Sequence, residues 1–220
     1  DNVVQTISFI RGIIEVCQKD AFKDLPFVLL ECLNESIGHN PKLASYCTSL
    51  VPTIIHQNSV YCSKSLFSQT LQFLSNLSSD NQNFNISLTH AQQLHSAIKK
   101  LGPDELTLSG LIGIMSSSRT INLSSMFFIK IPNLILLFLS SIEGKENSIK
   151  YLNLFKDLCH FSIYNCVQCH IGEFDLFLLK LIQNYPNSFQ FRGFEFNLSV
   201  DKSYISECLI SLVVFISQYI

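Results

Sequence analysis

Residues 151–182, YLNLFKDLCHFSIYNCVQCHIGEFDLFLLKLI, decide how the rest of the chain reads. Leu152, Phe155 and Cys159 recur along one side, with Leu154 and Leu158 beside them, at the three- and four-residue intervals of a buried helix face. Past Gly172 the pattern resumes with Phe174, Leu176, Leu179 and Ile182. The spacing predicts a helix ending near Phe161, a short helix opened by Asn165, a turn at Gly172, and a further helix over 174–184. At its centre stands Cys166-Val167-Gln168-Cys169-His170, the Cys-x-x-Cys-His spacing that attaches a c-type haem.

Three chemistries compete for that motif. Haem would take Cys166 and Cys169 as thioethers and His170 as axial ligand, with Met115, Met126 or another His as a second ligand. Structural zinc would recruit Cys159 or His160 alongside Cys166, Cys169 and His170, but a second Cys-x-x-Cys pair is missing. A redox pair of Cys166 and Cys169 at a helix start is the third. Against all of these, free Cys packs as a small hydrophobe, and Cys166, Cys169 and His170 share a helix face at i, i+3 and i+4. His170, near the helix end, can bond free carbonyls. Packing accounts for the motif, so no cofactor and no metal is expected; the alternative is a small metal- or haem-binding helical protein.

Outward from this segment the periodicity stays helical. Helices are expected over 4–17, 24–38, 41–56, 59–77, from a Thr89–Gln92 capping box to Lys100, and over 106–115, 131–142, 148–161 and 201–220. Polar loops fall at 78–87 and 116–120. The Phe-rich stretch at 189–197 is the one place for a short hairpin, with Arg192-Gly193 at its turn. The whole of 1–220 reads as one all-α unit of roughly ten helices. When Asn40 is aligned with Asn165, Leu29-Leu30 falls on Leu154-Phe155 and Leu33 on Leu158, one helical unit used twice.

Leu154 and Leu158, then Asn165, Gly172, and Phe174, Leu176, Leu179 and Ile182 together resemble an armadillo repeat. More loosely, 117–196 is similar to the armadillo-like regions that precede the BEACH domain in very large protozoan vesicle-trafficking scaffolds. The stretch 59–115 departs from any repeat pattern, the Phe-rich segment is foreign to armadillo units, and the chain contains no part of a BEACH domain. The resemblance implies an armadillo/HEAT-like α-solenoid segment and a non-enzymatic, cytoplasmic scaffold, peripheral to vesicle membranes. Its partners would be other proteins or adjacent domains of the same chain.

Composition narrows the classes further. The 220 residues are 47% hydrophobic but only 15% charged, against roughly 25% charged in an average soluble domain, so some apolar surface is expected to be covered by more protein. A net charge of −2 and one adjacent basic pair, Lys99-Lys100, give no footprint for nucleic acid. Apolar runs at 131–139 and 208–216 fall short of the ~20 residues that span a bilayer. Of the eight cysteines, Cys17, Cys32, Cys47, Cys62, Cys159 and Cys208 sit among Ile, Leu, Val or Phe at helical spacing, and the set reads as reduced thiols. The Asn-x-Ser sequons at Asn34, Asn76, Asn85, Asn122 and Asn197 weigh little for secretion in a chain rich in Asn and Ser. Asp1 and Ile220 read as ends cut from a longer chain.

Enzymatic motifs are missing: no Gly-x-Gly-x-x-Gly, phosphate-binding Gly-Lys-Ser/Thr loop, Gly-x-Ser-x-Gly elbow or His-Glu-x-x-His occurs. Glu173 and Asp175 fit first-turn carboxylates at a helix N-terminus better than an acid pair. His90 and His95 share a helix face poorly, and His39, His56 and His160 each stand alone.

Overall fold

The computed structural model describes residues 63–80, 82–116 and 126–217, with the single positions 5, 12, 51, 52, 55 and 56. The helix expected at 24–38, all but Gln5 and Gly12 of that at 4–17, most of that at 41–56, residues 59–62 of that at 59–77, residues 218–220 of that at 201–220 and most of the 116–120 linker lie outside the described residues. The fold is mostly helical with one small two-stranded hairpin. In chain order the described residues form α1 (Lys64–Asp80), α2 (Leu88–Leu101), α3 (Glu105–Ser116), α4 (Leu134–Ser140), α5 (Lys145–Phe161), α6 (Ile163–Ile171), α7 (Phe174–Asn184), β1 (Phe189–Phe191), β2 (Phe194–Phe196) and α8 (Lys202–Ser217).

Local chemistry sets most boundaries, and in two places it corrects the sequence expectation. The polar run expected as loop from Ser78 begins later. Ser78 is fully buried and its Oγ donates to the Ile114 carbonyl at 2.8 Å, which keeps the last turn of α1 helical and pinned to α3. The cap of α2 is Ser87, whose side chain accepts from the His90 N–H, so Thr89 lies within the first turn rather than at the cap. Gly102 ends α2 with φ 74°, a left-handed angle that glycine adopts without strain. Close approach of α1 and α3 requires Gly110, where a Cβ would come within 2.9 Å of Leu71 Cβ.

Asp104 caps α3. Its Oδ1 accepts from both the N–H and the hydroxyl of Thr107 at 2.8 Å, and these bonds hold its carboxyl below the usual carboxylate range. A carboxyl depressed by folding stabilises above its unfolded value, 3.8, and that contribution disappears as pH falls through the lower folded value. Asp104→Ala is expected to cost ~1 kcal/mol at pH 7. Urea midpoints checked at falling pH should show the gap to wild type closing below pH 3.8.

The core centres on α4, whose residues 134–139 are all buried. It packs against α2, α3, α7 and β2, so no face of it needs polar residues. From there a chain of rings runs outward: Phe138 meets Tyr151 edge-on at 5.0 Å and Phe155 at 5.7 Å, Phe155 meets Phe174 at 5.4 Å, and Phe177 meets Phe196 at 4.9 Å. The hairpin forms where expected. Phe189 pairs with Phe196 and Phe191 with Phe194, and the two-residue turn Arg192-Gly193 has positive φ at both positions, 51° and 79°, as the right-handed strand twist demands. Arg192 keeps this conformation through a bidentate bond to Glu173, at 2.7 and 2.6 Å, while its carbonyl accepts from Gln92.

The buried arc of α7 differs from the one the armadillo spacing implies. Phe174, Phe177, Leu178 and Leu181 are buried, and Leu176 and Leu179 face outward, each 42% exposed. The hairpin causes this, because its Phe189 and Phe196 fill the space beside Phe177.

Candidate functional site

Helix α6 carries the Cys-x-x-Cys-His motif. Ser162, extended at φ −160°, ψ 135°, caps it by accepting from the Asn165 N–H. Asn165 therefore does not open the helix: it sits inside the first turn, fully buried. Its Oδ1 accepts from the Ile129 N–H at 2.8 Å and its Nδ2 donates to the Phe127 carbonyl at 2.7 Å. One amide side chain thus satisfies two backbone groups and ties segment 126–129 to α6. At the far end, Gly172 has the ordinary φ of −78°. Glycine is needed there for space, since a Cβ would lie 2.6 Å from the Pro132 carbonyl oxygen.

The two sides of α6 differ sharply. Inward go Asn165, Cys166 and Cys169, all buried. Outward go Ile163, Tyr164, Val167 and Ile171, joined by Phe161 at the end of α5 and by Met126 and Phe128 on the clamped segment, each between 44% and 56% exposed. The Phe128 ring lies 5.4 Å from Phe161 and 6.1 Å from Tyr164. Met126 and Phe128 are exposed while Phe127 between them is half-buried and Ile129 is buried.

The motif's own residues separate in the same way. Cys159 lies within hydrogen-bonding reach of both Cys169 and Cys166; the Cys169 bond first, then burial, drives its thiol far above the ordinary range. Burial pushes Cys166 up to about 11, with the nearby Cys159 adding to it. Asp175, whose Oδ1 is buried with no hydrogen-bond partner, opposes ionisation of both thiols. His170 parts from them and points outward, its Nδ1 3.0 Å from Asp175 Oδ2 rather than on helix carbonyls. His160 pairs through Nε2 with Ser211 Oγ at 3.0 Å and stacks on Phe215. Met115 is buried and Met126 exposed. Among the described residues no group of three or more His, Cys, Asp and Glu side chains has the arrangement to hold a metal ion.

The thiolate is the reactive and metal-binding form, so the raised thiols of Cys159, Cys166 and Cys208 predict inertness, and burial shields Cys169 from reagent. In the native protein Cys159, Cys166, Cys169 and Cys208, all free and buried, should resist iodoacetamide at pH 7.5 and label fully in urea, as read by peptide mass mapping. The melting temperature should be the same with and without chelator. Rapid native labelling of Cys166 would contradict the packed arrangement.

A cavity of about 390 Å³ lies between α2 and the hairpin, lined by His95, Lys99, Glu143, Glu195 and Asn197. Lys99 and Glu195 pair across it. His95 meets Phe194 edge-on at 5.2 Å, and burial holds its imidazole below the usual value. Burial likewise lowers His90.

The residues that sequence reasoning missed are Asn165 as a clamp and the outer stripe of α6. Signals for both were present. A polar residue on the same arc as Cys169 must find buried partners, and apolar residues at 163, 167 and 171 oppose the apolar arc at 166 and 169, more than one buried face requires.

Among the described residues no helix is long and apolar enough to cross a membrane. No protein-family model, no curated protein and no solved structure matches the chain.

Proposed function

We propose that this chain is a non-enzymatic protein-interaction segment of a helical scaffold, docking other proteins or adjacent domains of its own chain on the outer face of α6. The single observation behind this is the set of seven half-exposed apolar side chains on α6 and beside it, with the Phe128 ring against those of Phe161 and Tyr164. Single soluble chains seldom leave so large a contiguous apolar patch uncovered. Interface centres are enriched in aromatic residues and Met and depleted of charge, and this face has that composition. The Asn165 clamp sets Phe128 in place before any partner arrives, which lowers the ordering cost of binding. Helix α8 adds a smaller exposed stripe of Ile210, Val213 and Val214, as stacked helical units leave for neighbours.

The succession of α5, α6 and α7 follows the helix, short helix, turn and helix of the armadillo-like unit, and supports placing the segment in a longer solenoid. On that view it belongs to a large cytoplasmic scaffold at vesicle surfaces. A photo-cross-linking residue placed at Tyr164 in cells should give discrete protein adducts, and the same residue at the exposed, polar Lys150 should not. Equal or absent adducts at the two positions would remove the α6 face as a docking surface.

A further inference from the structure

Resting on that reading, we infer that the occupant of the α6 face is a second copy of this chain, packed α6 against α6 about a two-fold axis. The first argument is charge. Residues 126–129 and 161–171 contain no Asp, Glu, Lys or Arg, and His170, at the edge, is already engaged by Asp175. Heterologous partners are steered and selected by complementary charge, which this face does not offer. A surface without charge meets its own copy with no like-charge contact.

Area is the second argument. Three half-exposed rings and four half-exposed aliphatic or Met side chains leave roughly 600 Å² on one copy, the upper range for a single soluble chain. Face to face, two such patches bury roughly 1,200 Å², the lower edge of a stable specific interface.

Symmetry is the third. A two-fold interface must be complementary to itself. Ile163, Val167 and Ile171 stand at i, i+4 and i+8, one stripe symmetric about its middle residue. Antiparallel packing of two α6 helices brings Val167 beside its own counterpart and Ile163 beside Ile171.

Sedimentation equilibrium on the full chain tests this. The 24.9 kDa protein is expected to reach twice its monomer mass at tens of micromolar. Val167→Lys and Val167→Glu, at a half-exposed position where both should fold, are each expected to weaken association at least tenfold. An equimolar mixture of the two should recover the dimer. Leu106→Lys, on α3 and 70% exposed, should leave the dimer intact, and all variants should keep their helix content by circular dichroism. A wild type that stays monomeric at hundreds of micromolar overturns the proposal, as does a dimer indifferent to Val167. Monomeric single variants that fail to recover on mixing overturn the α6-on-α6 geometry. Adducts from Tyr164 to a different protein, with a monomeric wild type, would end self-pairing and leave the docking reading standing; no adducts at Tyr164 would end both.

Discussion

Asn165→Ala is expected to destabilise the protein by about 3 kcal/mol, because it strands two buried backbone groups at once. Asn165 is fully buried, and its amide satisfies the Ile129 N–H at 2.8 Å and the Phe127 carbonyl at 2.7 Å. Each orphaned group costs ~1 to 3 kcal/mol, and the vacated volume adds a smaller cavity cost. Asn165→Asp should be at least as severe. It keeps an acceptor for Ile129, loses the donor to Phe127 and buries a carboxylate. Beyond the urea midpoint, hydrogen exchange gives a local readout: the Ile129 amide should lose protection by more than the global change, since segment 126–129 is released from α6. Phe128 would then leave the apolar face, so a stable variant with weakened dimerisation would link the clamp to docking. A loss below 1 kcal/mol would mean that the two bonds are not made in the folded protein.

Asn165 also shows how far the sequence could be read. Among the described residues, helix positions followed from apolar spacing, and the hairpin from four Phe around Arg192-Gly193, because both signals are local: a period of 3.6, and a turn with two positive φ angles. The role of Asn165 is set by residues 36 and 38 positions away, and no local pattern encodes that. The helical extension through Ser78 is likewise set by a bond to Ile114, 36 residues on. The inward side of the motif was legible for its two cysteines, which are buried. His170 was not, since its partner Asp175 lies across the Gly172 turn on the next helix. Exposure of the α6 stripe was the hardest to foresee. An apolar residue reads the same whether the chain itself or something else covers it.

The second large effect is expected on α7, where two residues a short step apart should behave oppositely. Phe177→Ala is expected to cost about 3 to 5 kcal/mol and, at that magnitude, to lower the melting temperature by roughly 10 °C. Phe177 is fully buried, with Phe196 at 4.9 Å, Phe189 at 6.1 Å and Phe174 at 6.2 Å. Removing the ring opens a cavity where helix and hairpin meet, and neither can collapse into it. The hairpin is held at its other end by the Glu173 and Gln92 bonds to Arg192. Leu179→Ala should cost about 1 kcal/mol or less, since Leu179 is already 42% exposed and surface truncations lose little. Armadillo-like spacing would instead make Leu179 the core residue. Two residues of α-helix turn the side chain by about 200°, so the arcs that contain Phe177 and Leu179 cannot both face inward. Urea unfolding of the two variants measures which arc does. The larger loss at Phe177 means that the hairpin has taken the place where a repeat of that kind would seat its neighbour. The larger loss at Leu179 would mean that α7 faces inward as the repeat spacing implies and that the aromatic contact with the hairpin is marginal.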